Sequence, residues 1–324
     1  MTDATSRKGG DATQKLLAFA SLITLVVVFS ILSENFRTIS NMMNILQATS
    51  VIGVLAVSAT LVIITGGIDL SVGTAMTFTA VTAGMLLTWV GLPIPFGILG
   101  AVMMGALTGL TSGFLITKLR IPPFIATLGM MLVLKGLSLI VTANKPIYFN
   151  DSPGFTAFAQ GSLVGRLVPV LPVPNGVVVL FLVAAVIAYV LNRTVLGRYT
   201  YALGSNEEAT RLSGVNVDGW KMAIYALAGA VTGVAGVLIA ARVNSAQPAL
   251  GQGYELEAIA AVVIGGTSLA GGRGTILGTL IGALIMSVLT NGLRILSVAP
   301  EWQIVATGII IIGAVYADML RKKT

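Results

Sequence analysis

Apolar residues run through this chain in long blocks, and polar residues collect in the short breaks between them. About ten blocks can be drawn as spans, at roughly 16–32, 45–65, 69–90, 93–117, 121–143, 173–191, 221–241, 254–270, 274–297 and 302–318. A helix needs about 20 apolar residues to cross the hydrocarbon core, and several of these blocks only just qualify. Little more than Gly66-Gly67 separates the second block from the third. Gly271-Gly272-Arg273-Gly274 separates the eighth from the ninth. One of these blocks is therefore open to two readings, a full crossing or a re-entrant, broken helix.

The polar break at 192–221 is the richest in charge, with Arg193, Arg198, Glu207, Glu208, Arg211, Asp218 and Lys221. Inside it, Ser205-Asn206-Glu207-Glu208 fits a capping box: Ser205 accepts from a first-turn N–H and Glu208 reaches back to the Ser205 N–H. Glu207 and Glu208 then sit at the positive end of the helix dipole. Ala209, Leu212 and Ser213 keep the helical spacing, and Gly214 is a natural stop. The pattern predicts a helix of about two turns, roughly 10 Å long. It is too short to be stable alone and needs a surface to pack on.

Composition fixes the class. The 324 residues are 56% hydrophobic and only 10% charged, with mean hydropathy +0.95, where soluble domains carry about 25% charged residues. This is an all-α, multi-pass membrane protein. No cysteine and no histidine occur, which removes disulfides, thiol chemistry, the commonest general base and the commonest metal ligand. No metal site or cofactor is expected. No phosphate loop of the G-x-x-x-x-G-K-[ST] type occurs, so the chain is not expected to hydrolyse ATP. The net charge of +7 reports loop orientation, not nucleic-acid binding.

With the N-terminus inside, the inner side receives Arg7, Lys8, Lys15, Lys118, Arg120, Arg193, Arg198, Arg211, Lys221, Arg273, Arg321, Lys322 and Lys323. The outer side receives only Arg37, Lys145, Arg166, Arg242 and Arg294, and Lys135 falls within a span. The bias supports both termini on the cytoplasmic side, with 192–221 inside. Leu16–Leu32 follows three basic residues without a small-x-small site after it, and is expected as an uncleaved first span. The external stretch 144–172 is punctuated by Pro146, Pro153, Pro169 and Pro172, with room for a short interfacial helix. It reads either as a rigid cap or as a docking surface for an external partner.

Gly66-Gly67-Ile68-Asp69-Leu70-Ser71-Val72-Gly73 can be laid on Gly265-Gly266-Thr267-Ser268-Leu269-Ala270-Gly271-Gly272, both in a GGxxLxxG pattern. Close helix packing explains this, and so does a duplicated unit. Halves at about 16–143 and 173–318 would have opposite orientations, the architecture in which transport paths form at the repeat interface. The two octapeptides are offset by one span in that scheme. Asp69 is a candidate path residue or a cap for the third span. Lys135 lines an aqueous path, snorkels or pairs with a carboxylate. Glu255 and Glu257 open the eighth span as a capping turn or an entrance. Asn244, Gln247 and Asn291 are neutral hydrogen-bonding groups towards the outer side, suited to an uncharged polyhydroxy solute.

From Gly197-Arg198-Tyr199-Thr200-Tyr201-Ala202-Leu203-Gly204 through Ser205–Val215, the sequence resembles the permeases of bacterial ABC importers for monosaccharides, ribose-type most closely. The likeness extends to Thr65–Gly73, Ser245-Ala246-Gln247-Pro248, Gly253-Tyr254-Glu255-Leu256, Gly265–Gly274 and Gly278–Ile285. It covers nearly the whole chain and is weakest before Phe36 and across Asn144–Asn175.

The resemblance implies a subunit of the inner membrane that works as a pair of copies, with cytoplasmic ATP-binding subunits and an external sugar-binding protein. It implies about ten transmembrane helices in two inverted five-helix halves, and a coupling helix at about Asn206–Gly214 that docks in a groove of the ATPase. Ser205, Asn206, Glu207, Glu208, Ala209, Arg211, Leu212 and Gly214 are then the expected coupling residues, acting as a lever on the sixth and seventh spans. Asp69, Lys135, Asn244, Gln247 and Asn291 are the expected path residues. An ion-coupled secondary transporter is the alternative and would use Asp69 and Lys135 as its relay. An intramembrane enzyme is the other rival, disfavoured by the missing histidine and cysteine.

Overall fold

The computed structural model describes residues 3–152, 154–168 and 171–321, with backbone alone for 3–15, 17 and 317–321. Pro153, Pro169, Lys322 and Lys323 lie outside the described residues, as do the side chains of Arg7, Lys8, Lys15 and Arg321. Helices account for most of the described chain. They are α1 (Asp3–Leu32), α2 (Ile39–Ile64), α3 (Val72–Gly84, prolonged by a wide turn over Met85–Trp89), α4 (Ile94–Thr117) and α5 (Pro123–Val141). After a short α6 (Leu163–Leu167) come α7 (Asn175–Arg193), α8 (Val195–Ser205), α9 (Glu207–Leu212) and α10 (Val217–Val243). The last three are α11 (Tyr254–Ile264), α12 (Ile276–Ile295) and α13 (Pro300–Arg321).

Among the described residues, 7 helices are long and apolar enough to cross a membrane: α2, α3 with its turn, α4, α5, α7, α10 and α12. The apolar parts of α1 and α13, Ala18–Leu32 and Pro300–Tyr316, are shorter. The block expected at 254–270 is not one helix. It forms an 11-residue helix followed by glycine-rich turns, and at 1.5 Å per residue it spans only about half the core. The reason lies in its ends, Gly253 and Gly266, both held at positive φ where a helix cannot continue.

α2 is apolar on all sides because protein surrounds it. It packs on α7, α10, α11 and α12 and is buried from Thr49 to Ile64. Its start is capped by Thr38, whose hydroxyl accepts from the Asn41 N–H at 3.2 Å. The closest helix pair is α4 with α10. Gly105, Gly109 and Gly113 line one face of α4 at four-residue spacing, opposite Gly229 and Gly233 of α10. A Cβ on Gly109 would strike the Tyr225 carbonyl oxygen, and one on Gly229 would strike that of Gly105. Only glycine lets these backbones meet.

The neighbours of α2–α5 recur among α10–α13. The pairs α3–α4, α3–α5, α4–α5, α3–α10 and α4–α10 correspond to α11–α12, α11–α13, α12–α13, α11–α2 and α12–α2. α1 rests on α12 and α7 on α2, which does not follow that pattern.

The stretch after α5 is anchored. Strand β1 (Ile147–Tyr148) pairs antiparallel with β2 (Ser245–Ala246), and Ile147 packs against Gly84 of α3. The rings of Phe149 and Phe155 lie 4.3 Å apart and are fully buried. These contacts favour the rigid-cap reading. α6 is the short helix expected there, capped by the Ser162 hydroxyl.

Gly109→Ala should lower thermal stability in detergent by about 1–3 kcal/mol, the usual cost of overpacking. Gly129→Ala on α5, where a Cβ would meet open space, should leave the unfolding midpoint in place or raise it. Equal effects of the two would refute the glycine seam.

Candidate functional site

The break at 192–221 folds into a compact corner of two helices. α8 leads away from α7, and α9 turns back towards α10. α9 is capped one residue later than the capping-box pattern placed it. Asn206, not Ser205, is the cap, and its Oδ1 accepts the Ala209 N–H at 2.9 Å. Ser205 instead ends α8. Its neighbour Gly204 is wedged against backbone, so the chain reverses there and the next extended residue takes the cap position.

Charge pins α9 in place. Arg211 lies 3.3 Å from Glu207 and 3.3 Å from Asp218 at the start of α10. Lys221 also reaches Glu207, and Lys118, at the end of α4, lies 3.8 Å from Asp218. Glu207 and Arg211 are thus bound within the chain. The outward surface is formed by Glu208, Ala209, Leu212, Ser213 and Gly214, and Leu212 is 83% exposed.

α8 passes this corner's position on to the bundle. It packs on α7, α10 and α2. A Cβ on Gly204 would strike the Ile64 carbonyl oxygen at the end of α2 and would come within 2.5 Å of the Gly272 nitrogen. The Gly272 N–H donates to that same Ile64 carbonyl at 2.8 Å. One turn earlier, the Tyr201 hydroxyl donates to the Gly274 carbonyl at 2.9 Å. The two GGxxLxxG octapeptides therefore meet at α8. The first joins α2 to α3, the second joins α11 to α12, and they pack on each other instead of occupying matching places.

The five expected path residues do not converge. Asp69 is buried between α2 and α3, where its Oδ1 accepts from the Ser71 N–H at 2.8 Å and the Ser71 hydroxyl at 2.6 Å. It braces the turn into α3 without being the residue next to the helix. Close to it, the Tyr225 hydroxyl is buried beside Gly67 with no hydrogen-bond partner among the described residues. Asn291 donates to Asn41 across the α2–α12 contact at 3.0 Å. Asn244 ends α10 in the left-handed region and donates to Asn150 at 3.2 Å, tying the outer stretch to α10. Gln247 is exposed and donates to Ser245 at 3.2 Å. Lys135 meets no carboxylate among the described residues; its Nζ donates to Gln252 Oε1 at 3.1 Å. Glu255 is buried against Gly73, and its carboxylate accepts the Gly253 N–H at 3.1 Å.

Sequence reasoning missed Gly204, Tyr201 and Gln252 as individual residues. Gly204 and Tyr201 lie in the stretch that carried the resemblance, yet nothing in their spacing marks a backbone contact with residues 64 and 272. Gln252 stands alone between Gly251 and Gly253, a polar residue flanked by two breakers. Among the described residues no group of acidic, histidine or cysteine side chains is placed to hold a metal ion.

Residues 41–315 match the family described as branched-chain amino acid transport system / permease component. The chain is 45% identical over 303 residues to the ribose import permease protein RbsC of Escherichia coli K12, covering 92% of this chain and 91% of that one. It is 44% identical over 313 residues to the Bacillus subtilis protein of the same name, covering 96% and 94%. Against the fructose import permease protein FrcC of Rhizobium meliloti, identity is 38% over 339 residues, covering 99% and 93%. No solved structure matches.

Glu207→Gln should release Lys221 and weaken the Arg211 contact. Glu207 is partly solvent-exposed, and such pairs are worth about 1 kcal/mol, so amide exchange across 208–213 should quicken about fivefold. Exchange in α10 and α2 should not change. Unaltered protection in α9 would mean that the ion pairs do not hold it.

Proposed function

The chain belongs to the permease-component family that its residues 41–315 match, and from that premise we propose that it is the membrane subunit of an ATP-driven importer of a monosaccharide, ribose or a close relative. One observation carries the solute class: identity to a ribose import permease runs through 92% of the chain. The sequence holds no nucleotide-binding loop, so the energy comes from a partner ATPase. In this reading the protein lies in the bacterial inner membrane with both termini and α9 on the cytoplasmic side. It pairs with a second copy and receives its sugar from an external binding protein.

The recurrence of α2–α5 contacts among α10–α13 supports two inverted five-helix halves of about ten spans in all, with α1 and α7 as their first members. α11, with the extended chain before it, makes the broken crossing of the second half.

The mechanism is alternating access driven through α9. The partner ATPase seats on the outward face of α9, with Leu212 as its apolar anchor. Closure of the ATPase pair pushes α9, the ion pairs make α9 and the start of α10 move as one body, and α8, packed on both and joined to α9 at Ser205–Asn206, moves with them. α8 then presses where its backbone is already in contact: the end of α2 at Ile64 and the α11–α12 link at Gly272 and Gly274. Both are ends of elements that close the cytoplasmic side, so a small shift of α8 opens or seals it. α8 also touches α7 and α10, the sixth and seventh spans. The exposure of Glu208, Ala209 and Leu212 supports this reading.

Leu212→Asp should reduce co-purification of the ATP-binding subunit and lower transport by at least about tenfold, the effect of losing one interface anchor. Its membrane spans should unfold at the wild-type temperature. Full assembly and transport by this variant would remove α9 as the docking element. Uptake that survives ATP depletion but stops with an uncoupler would favour the ion-coupled alternative instead.

A further inference from the structure

α5 is lined with leucine, isoleucine, valine and methionine, and within it stands one charge, Lys135. It lies twelve residues beyond Pro123, about 18 Å along the helix, well inside a hydrocarbon core about 30 Å thick. Its side chain is partly exposed. An ammonium at this depth faces water, a counter-charge or a path to the membrane surface. Lys135 has no salt bridge among the described residues. It does not snorkel towards an end either, because its Nζ points sideways to Gln252 Oε1 at 3.1 Å.

Gln252 belongs to the non-helical link from Asn244 to Gly253 between α10 and α11, mostly turn, and it is exposed. That link does not stay at the surface. The Gly251 N–H donates to the Thr77 hydroxyl of α3 at 2.9 Å, and a Cβ on Gly251 would strike the Gly73 carbonyl oxygen. Irregular backbone at membrane depth is tolerated where it is buried in protein or lines a water-filled cavity. Here one side of the link is buried on α3, and the other carries an exposed carboxamide. Gly253, at φ +95 with open space where a Cβ would stand, permits the bend that turns Gln252 outward. Lys135 and Gln252 come from different halves of the chain. Both show polar atoms at a depth where lipid would leave them unsatisfied.

We propose that Lys135 and Gln252 form a solute-binding station in a water-lined cleft between α5 and the α10–α11 link, contacting the hydroxyl groups of a neutral polyhydroxylated solute in transit. The pair offers the remaining N–H groups of the ammonium and both N–H groups of the carboxamide, which suit hydroxyl and ring oxygens. With no carboxylate joined to Lys135, the station repels cations. This inference rests on the importer reading above and names where that importer touches its cargo.

The absence of cysteine from the chain makes the test direct. Gln252→Cys should be labelled by a charged, membrane-impermeant thiol reagent, and Leu132→Cys, on the lipid-facing side of α5, should not. In the complete complex, a transported sugar delivered by its binding protein should slow labelling of Gln252→Cys. Lys135→Met should lower transport by about tenfold, as expected for one lost charge-assisted hydrogen bond, and Lys135→Arg should recover part of it. Complex recovered on gel filtration separates this from misfolding. A Gln252→Cys variant inert to the charged reagent overturns the cleft. Labelling that no transported sugar slows, with normal transport by Lys135→Met, overturns the solute contact. If the wild-type complex moves no sugar at all, the importer reading fails instead, and the labelling alone still judges the cleft.

Discussion

In hydrocarbon no hydrophobic force draws helices together, so their contact depends on how closely backbones can approach. The seam of Gly105, Gly109 and Gly113 against Gly229 and Gly233 is where this chain meets that condition most fully. It sets α10 beside α4, and α10 in turn packs on α2 and α3. A methyl group at any of several positions would part the two helices. The links hung on α10, including the one bearing Gln252, would then lose their register with α3.

Two kinds of glycine therefore serve two purposes. Those in α4 and α10 allow rigid contact between regular helices. Gly204, Gly271 and Gly272 allow the end of α8, the end of α2 and the turn between α11 and α12 to cross in one place. The first kind makes a body that resists deformation. The second makes a crossing held by hydrogen bonds from the Gly272 N–H to the Ile64 carbonyl and from the Tyr201 hydroxyl to the Gly274 carbonyl, and in the proposed cycle it is where motion enters.

Much of this was legible in the sequence. The apolar blocks located most helices, because burial in lipid or protein demands the same residues along a whole span. The charged break at 192–221 announced a short surface helix, although its cap fell on Asn206 because the reversal at Gly204 consumed Ser205. The block at 254–270 takes the broken-helix reading left open in the sequence, because Gly253 and Gly266 end its helix at positive φ, which hydropathy does not register. Asn291 read as a path residue because a span carrying an amide invites that reading. Its partner, Asn41, lies 250 positions away in the chain, and no local pattern reports such a pairing. The GGxxLxxG likeness pointed to two places that matter, but as mutual neighbours and not as copies.

The ion pairs around Glu207 have a further consequence for assembly. On the reading proposed above, α9 is a docking surface of six helical residues, and small surfaces hold partners poorly when they must first be ordered. Here the ordering entropy is spent during folding, because Arg211 and Lys221 already fix the helix. A partner thus meets a preorganised shape and associates as a rigid body. In the proposed pair of copies, engagement of the first knob would raise the effective concentration of the second into the range where weak contacts suffice. The complex can then be firm as a whole while each individual contact stays loose enough to rock through a transport cycle.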